Sequence, residues 1–322
     1  MGGVSTQTWM PWRTRVLDLL TRSAHTAEEM TPAELKRMRG SVPLRPPATW
    51  IIGSPADGVT SEDHRVTARD GFRMRVRVHR PDVPGPLPLL VHYHGGGFVI
   101  GNIGIYDPYL TQVAARAQVV VATVGYRMAP EHRAPSAVHD CRDATAWALE
   151  YADQFGVRTD AVGVTGDSAG GNLAAGMAQH LRDEGFTGLR HQALVYPAPD
   201  LTDREVVGLD RHYPILTPEM MRSFRSVYLD GADDRDPALS PALGQLDGLV
   251  PALVQTAEAD PLREDGEAYA EAMCAAGVPV RHTRYRGAPH GFVNFPGLTS
   301  AGYPATEELI GEVRHHLHGA AA

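Results

Sequence analysis

Two short glycine-rich stretches of the sequence contain residues that could do chemistry. "GDSAGGN", residues 166–172, holds Ser168 between Gly166 and Gly170 and directly follows an apolar run. "HGGGF", residues 94–98, follows another apolar run. A serine between glycines at a sharp turn from strand to helix exposes its hydroxyl, as a nucleophile requires. The alternative is a serine in an ordinary glycine-rich loop, so the surrounding elements must decide.

The "HGGGF" cluster has the composition of an oxyanion hole. Three glycines let the backbone approach a ligand closely and turn N–H groups towards developing negative charge. Such a hole pairs N–H groups of this loop with that of the residue after the nucleophile, here Ala169. The alternative is a flexible glycine turn. A phosphate site is excluded because no Lys-Ser/Thr follows and neither cluster has G-x-G-x-x-G spacing.

A serine nucleophile needs a base and an acid that orients it, and two downstream residues fit these roles. Asp260 directly follows the apolar run "PALVQTAE", and His290 follows the next run, "VPVRHTRYR". Both runs are predicted strands, and sites of open α/β sheets gather at the C-terminal ends of strands. The alternatives are a helix-capping aspartate before Pro261 and a loop histidine satisfied by a structural partner.

Neighbouring residues are predicted to support the site and not to react. His94 is expected to brace the glycine loop that continues with Gly95, and Asp167 to stabilise the turn around the serine. Glu258, two residues before the acid, has two interpretations. It either touches the histidine or is a buried, hydrogen-bonded structural carboxylate.

Strands and helices alternate along most of the chain. β-Branched and apolar runs predict strands at 72–80, 88–94, 119–127, 161–166, 191–197, 251–258 and 278–286. Helical spacing predicts helices at 106–117, 136–155, 169–184, 262–276 and 306–318. This alternation implies parallel βαβ units with right-handed crossovers. The predicted fold class is therefore α/β, with a mostly parallel, doubly wound sheet flanked by helices.

Two segments interrupt this alternation. About fifty residues separate the strands at 191–197 and 251–258, and they hold one helical pattern, "TPEMMRSFRSVYL". Insertions of this length in compact domains are usually lids. The first 45 residues carry two more helical patterns. We predict that residues 1–45 and 203–231 form a helical cap over a catalytic domain of residues 46–202 and 232–322.

Composition and net charge exclude some classes of binding partner and indicate where the protein is located. The 322 residues carry a net charge of −8, which argues against nucleic acid or anionic membrane as the main partner. No stretch has the roughly 18 apolar residues of a membrane span, and no signal-peptide pattern is recognised, so a cytoplasmic location is expected. Cys141 and Cys274 are too few and too distant for a disulfide framework and are predicted to be small core residues. His92 and His94 lack an acidic or cysteine partner, so no metal site is predicted.

In these motifs the chain resembles the hormone-sensitive-lipase branch of the α/β-hydrolase superfamily, bacterial family IV, which includes many bacterial carboxylesterases. The resemblance covers about residues 85–318 and follows the family's order. Its motifs are "HGGGFVIG" (94–101), "YRMAPEHRAPSAVHD" (126–140), "GDSAGGN" (166–172), "DPLREDG" (260–266) and "HGF" (290–292). It implies an α/β-hydrolase fold with a helical cap.

The resemblance also implies roles for individual residues. The nucleophile would be Ser168, the general base His290, its orienting acid Asp260, and the oxyanion donors Gly96, Gly97 and Ala169. The implied function is a serine carboxylesterase that hydrolyses short- to medium-chain esters through an acyl-enzyme, with a small-molecule ester as partner and no cofactor. Alternatives are a related lyase, acyltransferase or amidase acting on a specialised metabolite, or a non-catalytic receptor. The family often dimerises through its last strand and helix, and a homodimer stays open here.

Overall fold

A single sheet organises the computed structural model, which describes residues 11–21, 29–40, 44–203 and 213–319. Within these residues the sheet has eight strands: β1 Val59–Thr67, β2 Arg73–Pro81, β3 Leu87–Tyr93, β4 Val120–Gly125, β5 Val157–Asp167, β6 Leu189–Val195, β7 Ala252–Ala259 and β8 Val280–Pro289. Their order is β1-β2-β4-β3-β5-β6-β7-β8. From β4 across to β8 all neighbours are parallel, whereas β2 pairs antiparallel with both β1 and β4.

Helices cover both faces of the sheet. They are α1 Trp12–Thr21, α2 Pro32–Met38, α3 Ala48–Ile52, α4 Asp107–Ala117, α5 Ser136–Glu150, α6 Ala169–Asp183, α7 Pro218–Leu229, α8 Arg263–Ala275 and α9 Gly302–His318. One apolar core lies under α4 and α9, and a second lies under α5, α6 and α8. The predicted doubly wound, mostly parallel sheet flanked by helices is therefore confirmed. No helix among the described residues is both long and apolar enough to cross a membrane.

The central strands were predictable because both of their faces are buried. All seven residues of β3, "LPLLVHY", are buried, as expected for a parallel strand between two helical layers. The edge strand β1 was missed. Its sequence, "VTSEDHRVT", buries only Val66, so it carries no apolar alternation. Backbone pairing with β2 holds it in place, and Asp63 lies opposite Arg77 in an ion pair.

The two cysteines have different environments. Cys141 is buried on α5, as predicted. Cys274 is exposed, so its prediction as a core residue is wrong. It follows Met273, which faces the core on α8, and a helix turns the next residue about 100° away from that face.

Parts of the predicted cap are described. They are α1 and α2 in the N-terminal segment and α7 in the insertion, whereas residues 1–10, 22–28, 41–43 and 204–212 of these segments lie outside the described residues. Thr217 caps the N-terminus of α7, Pro218 is its first residue, and Asp230, in the left-handed conformation, caps its C-terminus. Its residues Met220, Phe224 and Tyr228, four apart, are buried and form one apolar stripe. The domain boundaries stay a prediction.

Candidate active site

The turn between β5 and α6 places Ser168 in a strained conformation. Its φ of 57° and ψ of −120° lie outside the regions that ordinary residues prefer, at a cost of order 1–3 kcal/mol. A Cβ on Gly166 would lie 2.2 Å from the carbonyl oxygen of Gly170, and one on Gly170 would lie 1.9 Å from that of Tyr93. Both positions therefore require glycine. The turn presents the serine to a cavity at the N-terminus of α6.

A hydrogen-bonded chain runs from this serine to the ends of two strands. Ser168 Oγ lies 2.8 Å from His290 Nε2, and His290 Nδ1 lies 2.6 Å from Asp260 Oδ2. Asp260 Oδ1 accepts a hydrogen bond from the backbone N–H of Leu262 at 2.9 Å. An ionised carboxylate only accepts, so the proton lies on Nδ1 and Nε2 can accept the serine proton. All three side chains are buried, which strengthens these interactions.

The glycine loop lies beside the serine. Gly96 and Gly97 have φ of 116° and 60°, and a Cβ on Gly96 would lie 2.1 Å from the carbonyl oxygen of Ile100. Both glycines line the same cavity as Ser168, and so does Ala169 at the start of α6. Among the described residues, no protein acceptor takes the N–H groups of Gly96, Gly97 or Ala169. These N–H groups are available to an anionic oxygen in the cavity.

His94 fixes the start of this loop. Its Nδ1–H donates to the carbonyl oxygen of Gly95 at 2.8 Å, and its ring stacks on Tyr126 with 4.2 Å between ring centroids. The Tyr126 hydroxyl donates to the carbonyl oxygen of His94 at 2.6 Å. Burial lowers the pKa of His94 to about 4, against the opposing hydrogen bond to Gly95. The imidazole is therefore neutral at pH 7 and anchors the loop.

Asp167 connects the loop to the serine turn. Its Oδ1 accepts from Gly95 N–H at 2.9 Å, and its Oδ2 accepts from the Tyr106 hydroxyl at 3.0 Å, Asn294 Nδ2 at 3.3 Å and the Tyr196 hydroxyl at 3.4 Å. Burial raises the pKa of Asp167 to about 6, although the Tyr106 hydrogen bond acts in the opposite direction. The carboxyl group thus joins four separate chain segments beneath the site.

Three of these partners belong to no motif found in the sequence, and the structure distinguishes between the two interpretations of Glu258. Tyr196, Tyr106 and Asn294 belong to no recognised motif, although Tyr196 directly follows β6 at the same sheet edge as the other site residues. Glu258 is partly buried and accepts a hydrogen bond from Gly287 N–H at 2.7 Å. No hydrogen bond joins it to His290 within the described part of the chain. Of its two interpretations, the geometry favours the structural carboxylate.

The cavity beside Ser168 has a volume of about 760 Å³. This is within the range of roughly 300–1,000 Å³ typical of small-molecule sites. Cap residues form much of its apolar lining: Met30 and Met38 at α2, and Met220, Met221 and Phe224 on α7. Methionine side chains adapt to ligands of different shape. The arrangement suits an apolar substrate next to the Ser168 hydroxyl.

One group among the described residues brings three candidate metal ligands together: His191, Glu312 and His316. It lies near the start of β6, at the opposite end of that strand from the serine turn. The rings of His191 and His316 stack with 4.6 Å between centroids and 10° between planes. Imidazole lone pairs lie in the ring plane, so two parallel stacked rings do not point at one ion. We infer no metal there.

Comparisons with known proteins agree with this geometry. A family model described as alpha/beta hydrolase fold matches residues 90–294. The carboxylic ester hydrolase LipN of Mycobacterium tuberculosis is 43% identical over 251 residues, which are 75% of this chain and 66% of LipN. The carboxylesterase NlhH of the same species is 38% identical over 265 residues, 80% of this chain and 83% of NlhH.

Solved structures extend the similarity to nearly the whole chain. An esterase from Pyrobaculum calidifontis superposes with a TM-score of 0.83 at 35% identity, covering 93% of this chain and 97% of that one. A thermostable esterase from Pseudomonas putida gives 0.84 at 30% identity, covering 97% and 99%. The chain belongs to the α/β-hydrolase family, in its hormone-sensitive-lipase-like branch.

Proposed function

We propose that this carboxylesterase hydrolyses short- to medium-chain carboxylic esters through an acyl-enzyme on Ser168. The observation that carries the proposal is the hydrogen-bonded chain from Ser168 through His290 to Asp260 beside an apolar cavity. The ester as substrate is supported by relatives that are named carboxylic ester hydrolase and carboxylesterase.

Acylation begins when Ser168 Oγ attacks the ester carbonyl carbon and His290 Nε2 takes the hydroxyl proton. Asp260, at 2.6 Å, stabilises the imidazolium that forms and holds the ring in the productive tautomer. The carbonyl oxygen becomes an oxyanion. We assign its stabilisation to the N–H groups of Gly96, Gly97 and Ala169, and each such donor is worth about 3–4 kcal/mol.

The second half of the reaction reverses these proton transfers. The imidazolium of His290 protonates the leaving alcohol, which departs and leaves an ester on Ser168. Water then enters, loses a proton to the same imidazole and attacks the acyl carbonyl carbon. Collapse of the second tetrahedral intermediate releases the carboxylic acid and returns the proton to Ser168. No step requires a cofactor.

Replacement of the nucleophile tests the proposal. Ser168→Ala removes the attacking oxygen and should lower kcat for p-nitrophenyl butyrate by roughly 10⁴- to 10⁶-fold, with the circular dichroism spectrum unchanged. A fluorophosphonate probe should label the wild-type protein and not the variant. Turnover of Ser168→Ala near the wild-type rate would refute the assignment.

The same preparation separates the alternatives. Hydrolysis in H₂¹⁸O incorporates one labelled oxygen into the released acid, whereas a lyase or an acyl transfer to another alcohol or amine does not. A non-catalytic receptor would resist the fluorophosphonate. An ester panel of increasing acyl length should give the highest kcat/KM for short and medium chains, because the cavity has a limited volume.

We also propose a cytoplasmic location and a homodimer. Among the described residues β8 is the terminal strand of the sheet, so its outer edge could pair through backbone hydrogen bonds with a second copy of the chain. Gel filtration coupled to light scattering tests the dimer: the measured mass should be twice that of the 322-residue chain. Fractionation of the source cells, with the fluorophosphonate label as the marker, tests the location.

A further inference from the structure

The loop that carries the proposed oxyanion donors has an unusual backbone. Three consecutive residues have positive φ: Gly96 at 116°, Gly97 at 60° and Phe98 at 62°. Glycine adopts these angles without a steric penalty, but phenylalanine does not. Contacts elsewhere in the fold must therefore hold Phe98, and with it the two N–H groups before it, in this conformation.

The ring of Phe98 is in contact with the cap. Its ring stacks on the ring of Tyr228, on α7, with 3.9 Å between centroids and 8° between planes. Both rings are buried. The Tyr228 hydroxyl has no hydrogen-bond partner within the described residues, so the ring face, and not the hydroxyl, provides the contact.

A second residue of α7 contacts the loop directly. Phe224 lies one turn before Tyr228 on the same face of the helix. A Cβ built on Gly97 would lie 2.5 Å from Cγ and Cδ2 of Phe224, so the ring packs against the bare backbone of that glycine. The helix thus presses on two successive residues of the loop.

The far end of the loop is fixed from the N-terminal side of the cap. Arg39, which follows α2, donates from Nε to the carbonyl oxygen of Val99 at 2.8 Å and from Nη2 to that of Ala129 at 2.6 Å. Ala129 N–H in turn donates to the carbonyl oxygen of Phe98 at 2.9 Å. Movement of the loop away from α7 would disrupt these bonds.

We propose that α7 fixes the oxyanion donors and that Tyr228 is a positioning residue, which acts through Phe98. The inference rests on the oxyanion role proposed above for Gly96 and Gly97. A donor must lie about 2.7–3.1 Å from the developing oxyanion, and a displacement of about 1 Å can lower the rate roughly 100-fold. Tyr228 is not among the residues that line the cavity, so its effect on the reaction passes through the loop.

Kinetics of two Tyr228 variants test this role. Tyr228→Leu removes the ring and should lower kcat for p-nitrophenyl butyrate by about 10- to 100-fold, with KM within about 3-fold of the wild-type value. The inhibition constant of an aryl trifluoromethyl ketone, whose serine adduct carries the oxyanion, should rise by the same factor as kcat/KM falls. Tyr228→Phe keeps the ring and should keep wild-type kinetics.

Tyr269→Leu is the matched control, because Tyr269 is an equally buried tyrosine on α8 that does not line the cavity. It should lower the melting temperature and leave kcat unchanged. If Tyr228→Leu does not fold, Phe98→Leu removes the other ring of the same contact and should raise the inhibition constant of the trifluoromethyl ketone by a similar factor. In a double-mutant cycle the two substitutions should be non-additive in kcat.

Two results would overturn the proposal: wild-type kcat in folded Tyr228→Leu, or an equal loss of kcat in the Tyr269→Leu control. Either is distinct from a failure of the proposed function. If the proposed function is wrong, Ser168→Ala will still turn over the ester. If only the positioning role is wrong, Ser168→Ala will be inactive and Tyr228→Leu will not differ from its reference, the wild type or Tyr269→Leu, in kcat.

Discussion

Replacement of Asp167 by asparagine should change how the stability of the fold depends on pH. Burial raises the pKa of this carboxyl group from 3.8 to about 6 in the native state. Between these two pH values the unfolded chain ionises first, so the native state binds more protons and each rise in pH lowers the free energy of unfolding. At 1.36 kcal/mol per pH unit, the loss reaches about 3 kcal/mol above pH 6.

Asparagine has no proton to lose, so Asp167→Asn lacks this penalty. Other groups act in the opposite direction: burial lowers the pKa of both His79 and His94 to about 4, which reduces stability as the pH falls below 6.5. Both proteins contain these histidines, so their effect cancels in the difference between variant and wild type. The amide in Asp167→Asn forms different hydrogen bonds from the carboxyl group, and these change the free energy of unfolding by an amount that does not depend on pH.

Urea unfolding followed by tryptophan fluorescence, at intervals from pH 4 to pH 7.5, measures this difference. The free energy of unfolding of Asp167→Asn minus that of the wild type should rise by about 2 kcal/mol across this interval, because about one fifth of the loss is already present at pH 4, and should level off above pH 7. The exposed Asp153→Asn, which removes a carboxyl group outside the core, serves as a control substitution. A flat difference for Asp167→Asn would refute the account of a carboxyl group destabilised by burial.

Three further predictions concern the site and the core. Asp260→Asn should lower kcat by roughly 10³- to 10⁴-fold with little change in KM, because the histidine loses its acceptor; steady-state kinetics with a nitrophenyl ester measures this. Gly97→Ala places a Cβ 2.5 Å from the Phe224 ring and should lower kcat at least about 10-fold, whereas Gly277→Ala, also at positive φ but with no atom within 4 Å, should affect only the melting temperature. Burial lowers the pKa of His191 to about 3, so the unfolded chain takes up a proton at pH 5 that the native state does not, and this residue lowers the free energy of unfolding of the wild type by about 2 kcal/mol at pH 5. The free energy of unfolding of His191→Leu should therefore decline less between pH 7 and pH 5, as measured by urea unfolding.

Much of the fold could be predicted because the signals are local. The central strand β3 is buried along its whole length and its sequence is mostly apolar, and the glycines on either side of Ser168 mark a sharp turn from strand to helix. Asp260 and His290 follow predicted strands, so their place at one sheet edge follows from parallel topology. The distances of 2.6 Å from His290 Nδ1 to Asp260 Oδ2 and 2.8 Å from His290 Nε2 to Ser168 Oγ depend on the conformation of the loops, which no pattern in the sequence predicts.

The support around Asp167 could not be predicted because it is assembled from distant segments. Tyr106 precedes α4, Tyr196 follows β6 and Asn294 follows β8, and each reaches the carboxyl group from a different loop. No spacing in the sequence relates these three residues to one another. Only the position of Tyr196 at a strand end carried a usable signal, since site residues collect at that edge.

Helix α7 shows most clearly where the sequence becomes ambiguous. Its apolar stripe predicts a buried face, but the spacing does not say whether that face contacts substrate or packs on the fold. In the structure it does both: Met220 and Phe224 line the cavity, whereas Tyr228 does not line it and stacks on Phe98 of the glycine loop. Substitution near the start of the stripe should therefore alter substrate preference, and substitution at its end should alter rate. One short helix can then change specificity through its cavity-lining residues and catalytic efficiency through the ring at position 228.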